Sequence, residues 1–144
     1  MWFADFWGMA NILVIEDDPH IRMAVDHCLK KAGHVVMLAI EGKEGMNHFR
    51  NADVNLVVTD LFMEGQEGLE TIMTLRKKHP KLPIIAMSGG NPASEAMLAV
   101  AKELGAQQVL AKPFWAKGLL EAVEKALGVE GKTSNIRHST PDIE

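Results

Sequence analysis

Carboxylates, a hydroxyl and a lysine stand at the ends of four separate apolar runs in this chain. Glu16, Asp17 and Asp18 follow Asn11 to Ile15, and Asp60 follows Leu56 to Thr59. Ser88, Gly89 and Gly90 follow Ile84 to Met87, and Lys112 with Pro113 follows Val109 to Ala111. If the runs are neighbouring strands, Glu16, Asp17 and Asp60 converge, and Asp18 is left to cap the helix that follows. An oxygen-rich, charge-dense cluster of that kind suits a hard cation such as magnesium, which accepts a few carboxylates together with waters and phosphate oxygens. Without compensation it repels itself: at an effective dielectric of about 20, two like charges ~4 Å apart cost about 4 kcal/mol. A cation or a proton must offset that. Lys112 supplies a fixed positive charge and could ligate an incoming phosphoryl oxygen, and Ser88 could donate a hydroxyl hydrogen bond to another. Singly, each residue has a plain structural explanation, as helix cap, solvated lysine or turn serine. Their joint placement, each at the end of a different strand, is what points to chemistry.

The elements that must position them are legible from periodicity. Asn11 to Ile15, Val35 to Leu38, Leu56 to Thr59, Ile84 to Met87 and Val109 to Ala111 are short, β-branched, near-continuously apolar runs, the pattern of buried parallel strands. Helical patterns alternate with them. Asp18 offers an N-cap with Pro19 at the first helical position, and Ile21, Val25, Cys28 and Ala32 recur at helical spacing until Gly33. Further helices are predicted over Lys43 to Arg50 (weakened by Gly45), Leu69 to His79, Ala93 to Leu104 and Trp115 to Leu127. Strand-helix units joined by right-handed crossovers give a doubly wound α/β sheet with helices on both faces. Such sheets bind ligands at the carboxyl ends of their strands, where the polar clusters fall.

Composition narrows the class. The chain of 144 residues is 47% hydrophobic and 24% charged with a formal net charge of -4, which suits one globular core and offers no basic stripe for direct nucleic-acid binding. The single cysteine, Cys28, excludes an intramolecular disulfide framework, suits the reducing cytoplasm, and falls in an apolar helical pattern that predicts a buried, inert thiol. No apolar run approaches the roughly 18 residues that cross a bilayer, so a cytoplasmic protein without membrane contact is expected. The histidines lack metal-site spacing, and the methionines read as core filling. Residues 1–9 read as a non-native or disordered extension, 10–128 as the domain, and 129–144 as a flexible polar tail. Both extensions are expected at the end of the sheet opposite the polar clusters.

Ile12 to Asp18 (ILVIEDD), Asp60 to Glu70 (DLFMEGQEGLE), Ser88, and Lys112-Pro113-Phe114 together resemble the receiver domain of two-component response regulators, over nearly everything between Asn11 and Leu127. The resemblance implies a flavodoxin-like (βα)5 fold with five parallel strands in the order 2-1-3-4-5. It implies that Asp60 is a phosphoacceptor, taking its phosphoryl group from a histidine kinase or histidine phosphotransfer protein. Magnesium would be held by Glu16, Asp17, Asp60 and the backbone carbonyl of Phe62. Lys112, ahead of Pro113, and Ser88 would hold the phosphoryl group, and the loop through Gly89 and Gly90 would then move with the surface of the fourth helix, fifth strand and fifth helix to engage a downstream protein. A homodimer stays open. The family's catalysis is confined to its own phosphorylation and dephosphorylation, and the lack of a further domain after Leu127 resembles a stand-alone receiver.

Several positions depart from the family pattern. Glu16 replaces an aspartate and is one methylene longer, so it would reach a metal through a water or with a bent rotamer. Glu64 stands where proline is usual, which implies a looser loop around Gly65. Val109 occupies the place of a switch aromatic, so Gly89, Gly90 and the start of the fourth helix are expected to carry the change instead. Phe62 and Gly90 flank the mouth by resemblance and neither can orient a water, which predicts slow self-dephosphorylation. Other classes fit less well. An aspartyl-nucleophile phosphohydrolase normally needs a second acid where Phe62 stands, and a dinucleotide-binding module needs a glycine-rich turn after the first strand. A receiver-shaped docking protein that is never phosphorylated is the remaining alternative.

Overall fold

The computed structural model describes residues 9–61, 67–89, 92–112 and 116–128. Strands β1 (Asn11–Ile15), β2 (Val35–Ala39), β3 (Leu56–Asp60), β4 (Ile84–Ser88) and β5 (Gln108–Ala111) alternate with helices α1 (Pro19–Lys31), α2 (Gly42–Asn51), α3 (Glu67–Lys78), α4 (Pro92–Leu104) and α5 (Ala116–Leu127). The sheet is parallel throughout and its order is β2-β1-β3-β4-β5, as the resemblance implies. The apolar runs explain which strands lie inside. Every residue of β3 and β4 is buried, while β2 and β5 at the edges are only partly covered.

Alternate residues of each strand feed opposite faces. Leu13, Ile15, Val57, Ile84 and Ala86 pack with Ile72 and Leu75 of α3 and Leu98 and Ala101 of α4, and α2 adds Met46 and Phe49. On the other face Ile12, Val14, Leu56, Val58, Ile85 and Met87 pack with Val25 and Leu29 of α1 and Leu119 and Val123 of α5. The doubly wound reading therefore holds, with α1 and α5 on one face and α2, α3 and α4 on the other.

Local chemistry sets the element ends. The Asp18 side chain accepts from the amides of His20 and Ile21 at 2.8 and 3.4 Å, capping α1 as expected, and Pro19 has no amide to leave unpaired. Gly33 ends the helix with φ at 100°, a left-handed conformation that a side chain disfavours. Two expectations shift. Asp60 and Ser88 are the last residues of β3 and β4 rather than the first beyond them, because the ladder continues to the pairs Asp60 with Met87 and Ser88 with Ala111. Gly45 does not merely weaken α2: a Cβ there would lie 2.8 Å from Ile15 Cδ1, so the missing side chain lets the helix settle on β1. Cys28 is half-buried rather than buried, its Sγ lying 3.9 Å from the Ala116 carbonyl oxygen, and burial raises its pKa above the ordinary thiol value. That keeps the thiolate scarce, in accord with an inert group. At the end of the sheet where β4 begins, Arg76 donates to the carbonyls of Pro80 and Gly105 at 2.7 and 2.6 Å, tying the end of α3 to the loop before β5.

Candidate functional site

Strand order brings the acids together. With β1 beside β3, Glu16 just past β1 and Asp60 at the end of β3 are neighbours, and a carboxylate oxygen from each of Glu16, Asp17 and Asp60 falls within 4.8 Å of the others. Glu16 and Asp60 are buried, whereas Asp17 is exposed at the rim. Lys112 follows β5, yet its side chain spans the β4 position to reach both buried acids. Its Nζ donates to Glu16 Oε1 at 3.0 Å and lies 3.4 Å from Asp60 Oδ1.

Glu16 is held from four directions. Its amide donates to the Ala39 carbonyl at 3.0 Å, continuing the contact with β2. Its Oε2 accepts from the Asp18 amide at 3.1 Å, Lys112 occupies Oε1, and its carbonyl accepts from Arg22 Nη1 at 3.0 Å. Burial pushes the Glu16 carboxyl up to about 7, and the negative charge of Asp60 adds to the rise, against the lowering by the Asp18 amide and Lys112. One lysine thus does not balance three clustered acids. The Glu16 carboxylate is thus engaged by Lys112 on one oxygen and by the Asp18 amide on the other.

Ser88 completes the floor. The Lys112 amide donates to the Ser88 carbonyl at 2.6 Å, and the Leu61 amide donates to the Met87 carbonyl at 2.8 Å, so the chain around the acids is anchored on β4. Ser88 Oγ is buried and has no hydrogen-bond partner among the described residues. A buried hydroxyl left so costs about 1–3 kcal/mol. Val109, in the middle of β5, is a partly buried residue packed against the core on the α4 side, and nothing about it resembles a swinging aromatic. Gly89 is half-buried directly after Ser88. Phe62, Glu64, Gly65, Gly90 and Pro113 lie outside the described residues, as do 1–8 and 129–144.

Two contributors escaped the sequence reading. Arg22 meets the acidic loop through backbone carbonyls, for which no sequence signal exists. Gly68 in α3 lies against Asp60: a Cβ there would lie 2.5 Å from both the Asp60 carbonyl oxygen and Leu61 Cα. A glycine inside a helix costs roughly 1 kcal/mol relative to alanine, which was the available clue.

A doubly wound domain with acids, a lysine and a buried hydroxyl gathered at one end of its parallel sheet has the fold and the arrangement of side chains that the resemblance to receiver domains implies. The response regulator receiver domain matches residues 12–124, and the chain belongs to that family. It is 36% identical over 118 residues to the DNA-binding transcriptional regulator NtrC of Azospirillum brasilense, covering 82% of this chain and 24% of that protein. It is 32% identical over 127 residues to the C4-dicarboxylate transport transcriptional regulatory protein DctD of Pseudomonas aeruginosa, covering 88% of this chain and 27% of that protein. The chain therefore spans about a quarter of the length of these curated relatives. Among solved structures, a response regulator receiver domain protein from Clostridium thermocellum superposes with a TM-score of 0.77 at 27% identity, over 83% of this chain and 95% of that one. The receiver domain of NtrX from Brucella abortus gives 0.76 at 29% identity, over 81% and 98%.

The donor set also fits the divalent cation typical of receivers. Three carboxylates with one lysine between them leave excess negative charge and only oxygen ligands, the preference of magnesium. Among the described residues no helix is long and apolar enough to cross a membrane.

Proposed function

We propose that Asp60 accepts a phosphoryl group from the phosphohistidine of a histidine kinase or histidine phosphotransfer protein in the cytoplasm. An Asp60 carboxylate oxygen forms the bond to phosphorus as the phosphorus–nitrogen bond breaks, its electron pair staying with the departing imidazole. Glu16, Asp17, Asp60 and the Phe62 carbonyl would hold magnesium, which when bound neutralises charge on the transferring phosphoryl oxygens. Lys112 would exchange its bond with Glu16 for a phosphoryl oxygen, keeping a cation beside the new charge. The domain's catalysis is limited to its own phosphorylation and dephosphorylation.

The observation that carries this reading is Ser88 Oγ, a buried hydroxyl with no hydrogen-bond partner among the described residues, on the strand paired with that of Asp60. A phosphoryl oxygen gives that hydroxyl its missing acceptor. Donation would draw Ser88 and Gly89 towards the site, and α4, β5 and α5 would pass the change to a downstream protein target. The test is intact mass after incubation with magnesium and a small acyl-phosphate donor. One phosphoryl group is expected on the wild type and none on Asp60→Asn or in excess chelator. Labelling that survives Asp60→Asn assigns the acceptor elsewhere, and labelling undiminished by chelator removes the metal requirement.

A further inference from the structure

The Glu16 amide makes the last bond of this chain segment to β2, through the Ala39 carbonyl, and Asp17, another of the three clustered acids, lies beyond it. Glu16 is fixed through its side chain as well as its backbone. Asp17 is different. It is the exposed member of the cluster, so its position depends on the main chain beneath it. That main chain is gripped by Arg22, which closes the first turn of α1. Its Nη1 donates to the Glu16 carbonyl at 3.0 Å and to the Asp17 carbonyl at 3.3 Å. One terminal guanidinium nitrogen carries two hydrogens and can serve both carbonyls at once.

The helix that carries Arg22 is itself registered on the same loop. The Asp18 side chain caps its first turn, and the Arg22 amide donates to the Asp18 carbonyl at 2.9 Å. Loop and helix start are thereby one closed unit: the loop caps the helix, and the helix returns a side chain to hold the loop's carbonyls. A planar, pre-organised guanidinium suits this better than a flexible ammonium stem, because less freedom is lost for each bond formed. Its bonds go to the carbonyls of Glu16 and Asp17 and not to their carboxylates.

We infer that Arg22 is a positioning residue for the magnesium site, fixing the Glu16–Asp17 backbone so that the Asp17 carboxylate stays turned towards Glu16 and Asp60. This rests on the metal reading proposed above. Two effects of Arg22 on the metal oppose each other. Its positive charge disfavours a nearby cation, and its bonds pre-arrange the ligands. The inference is that pre-arrangement wins, because the guanidinium is bound to carbonyls and shares its charge with them, whereas an unrestrained loop must be ordered anew when the cation binds.

The test is magnesium affinity of the unphosphorylated 144-residue chain by titration calorimetry, for wild type, Arg22→Met, Arg22→Lys and, as a control for general destabilisation, Arg76→Met. Circular dichroism checks that each is folded, and the lysine variant keeps the comparison available should the methionine variant not fold. Arg22→Met and Arg22→Lys are both expected to bind magnesium roughly 10-fold more weakly, equivalent to about 1.4 kcal/mol. Arg76→Met should melt earlier but bind magnesium as the wild type does. Unchanged or tighter binding by Arg22→Met shows that charge repulsion dominates and overturns the inference, as does wild-type affinity in Arg22→Lys. Parallel weakening in Arg76→Met also overturns it, since loss of stability alone would then explain the effect. A wild type that binds no magnesium removes the metal reading itself, whereas a wild type that binds beside unaffected variants removes only the role of Arg22.

Discussion

Gly68 lies so close to Asp60 that a Cβ on it would come within 2.5 Å of the Asp60 carbonyl oxygen. The start of α3 thus rests directly on the backbone of the residue assigned as phosphoacceptor, and a methyl group has nowhere to go. Because the clash is with main chain rather than with the end of a flexible side chain, relief requires the helix or the strand end to move. Gly68→Ala is therefore expected to lose about 1–3 kcal/mol of stability, despite the better helix propensity of alanine. Gly118 in α5 is the counter-case, with nothing within 4 Å of its Cβ position. Gly118→Ala should gain about 0.5–1 kcal/mol. Urea unfolding of the two variants checks both signs, and a stable Gly68→Ala would mean that α3 does not constrain Asp60.

Replacing Ser88 by alanine separates its stability role from its chemical one. The hydroxyl is buried and lacks a partner among the described residues, so its removal should leave the unphosphorylated domain as stable as before or more stable by about 1 kcal/mol. Phosphorylation from a small acyl-phosphate donor should slow, and amide exchange at position 88 and at Gly89 should stop responding to it. A variant that is destabilised but phosphorylates and responds normally would contradict the role given to Ser88 Oγ.

His34 gives the fold a pH dependence at a point away from the acids. The Ala10 amide donates to His34 Nδ1 at 3.1 Å, which requires that nitrogen to be unprotonated, and burial lowers the ring's pKa from 6.5. The unfolded chain therefore takes up a proton at a higher pH than the folded one. The contribution of the neutral ring is complete above the unfolded value and is lost as pH falls through it towards the lower folded value. Denaturant midpoints of wild type and His34→Gln between pH 7.5 and 5.5 should converge or cross as the wild type loses stability that the variant keeps. Parallel profiles would exclude His34 as a source of the dependence.

The lifetime of the phosphorylated state is expected to depend on Phe62, which by resemblance to receivers would flank the mouth of the site. Phe62→Asn supplies a group that can orient water and keeps the backbone carbonyl, so decay should accelerate about 10-fold, equal to about 1.4 kcal/mol of barrier. The measurement is loss of the phosphorylated mass in saturating magnesium, with metal affinity compared in both proteins. An unchanged or slower decay would show that Phe62 does not guard the site.

By itself the sequence determined the number and order of elements, because each rests on local chemistry. Short β-branched runs made strands, Asp18 and Pro19 opened a helix, and Gly33 closed it through a left-handed conformation available chiefly to glycine. It also determined which residues stand at strand ends, and hence the acids, Ser88 and Lys112. What only the tertiary structure decided are the relations across space. The adjacency of β1 and β3, which places Glu16 against Asp60, came from the resemblance and from no local signal; that Lys112 reaches past β4 gives Glu16 its partner, and that the ladder runs one residue further brings Asp60 and Ser88 inside it. The same holds for Arg22 on two backbone carbonyls and for the glycines at 45 and 68, which permit helices to touch a side chain and a main chain that local sequence does not reveal. Hydrogen bonds to carbonyls and close approaches of backbone leave no periodicity in the residues that make them, because any residue has a carbonyl and only packing decides where one is offered.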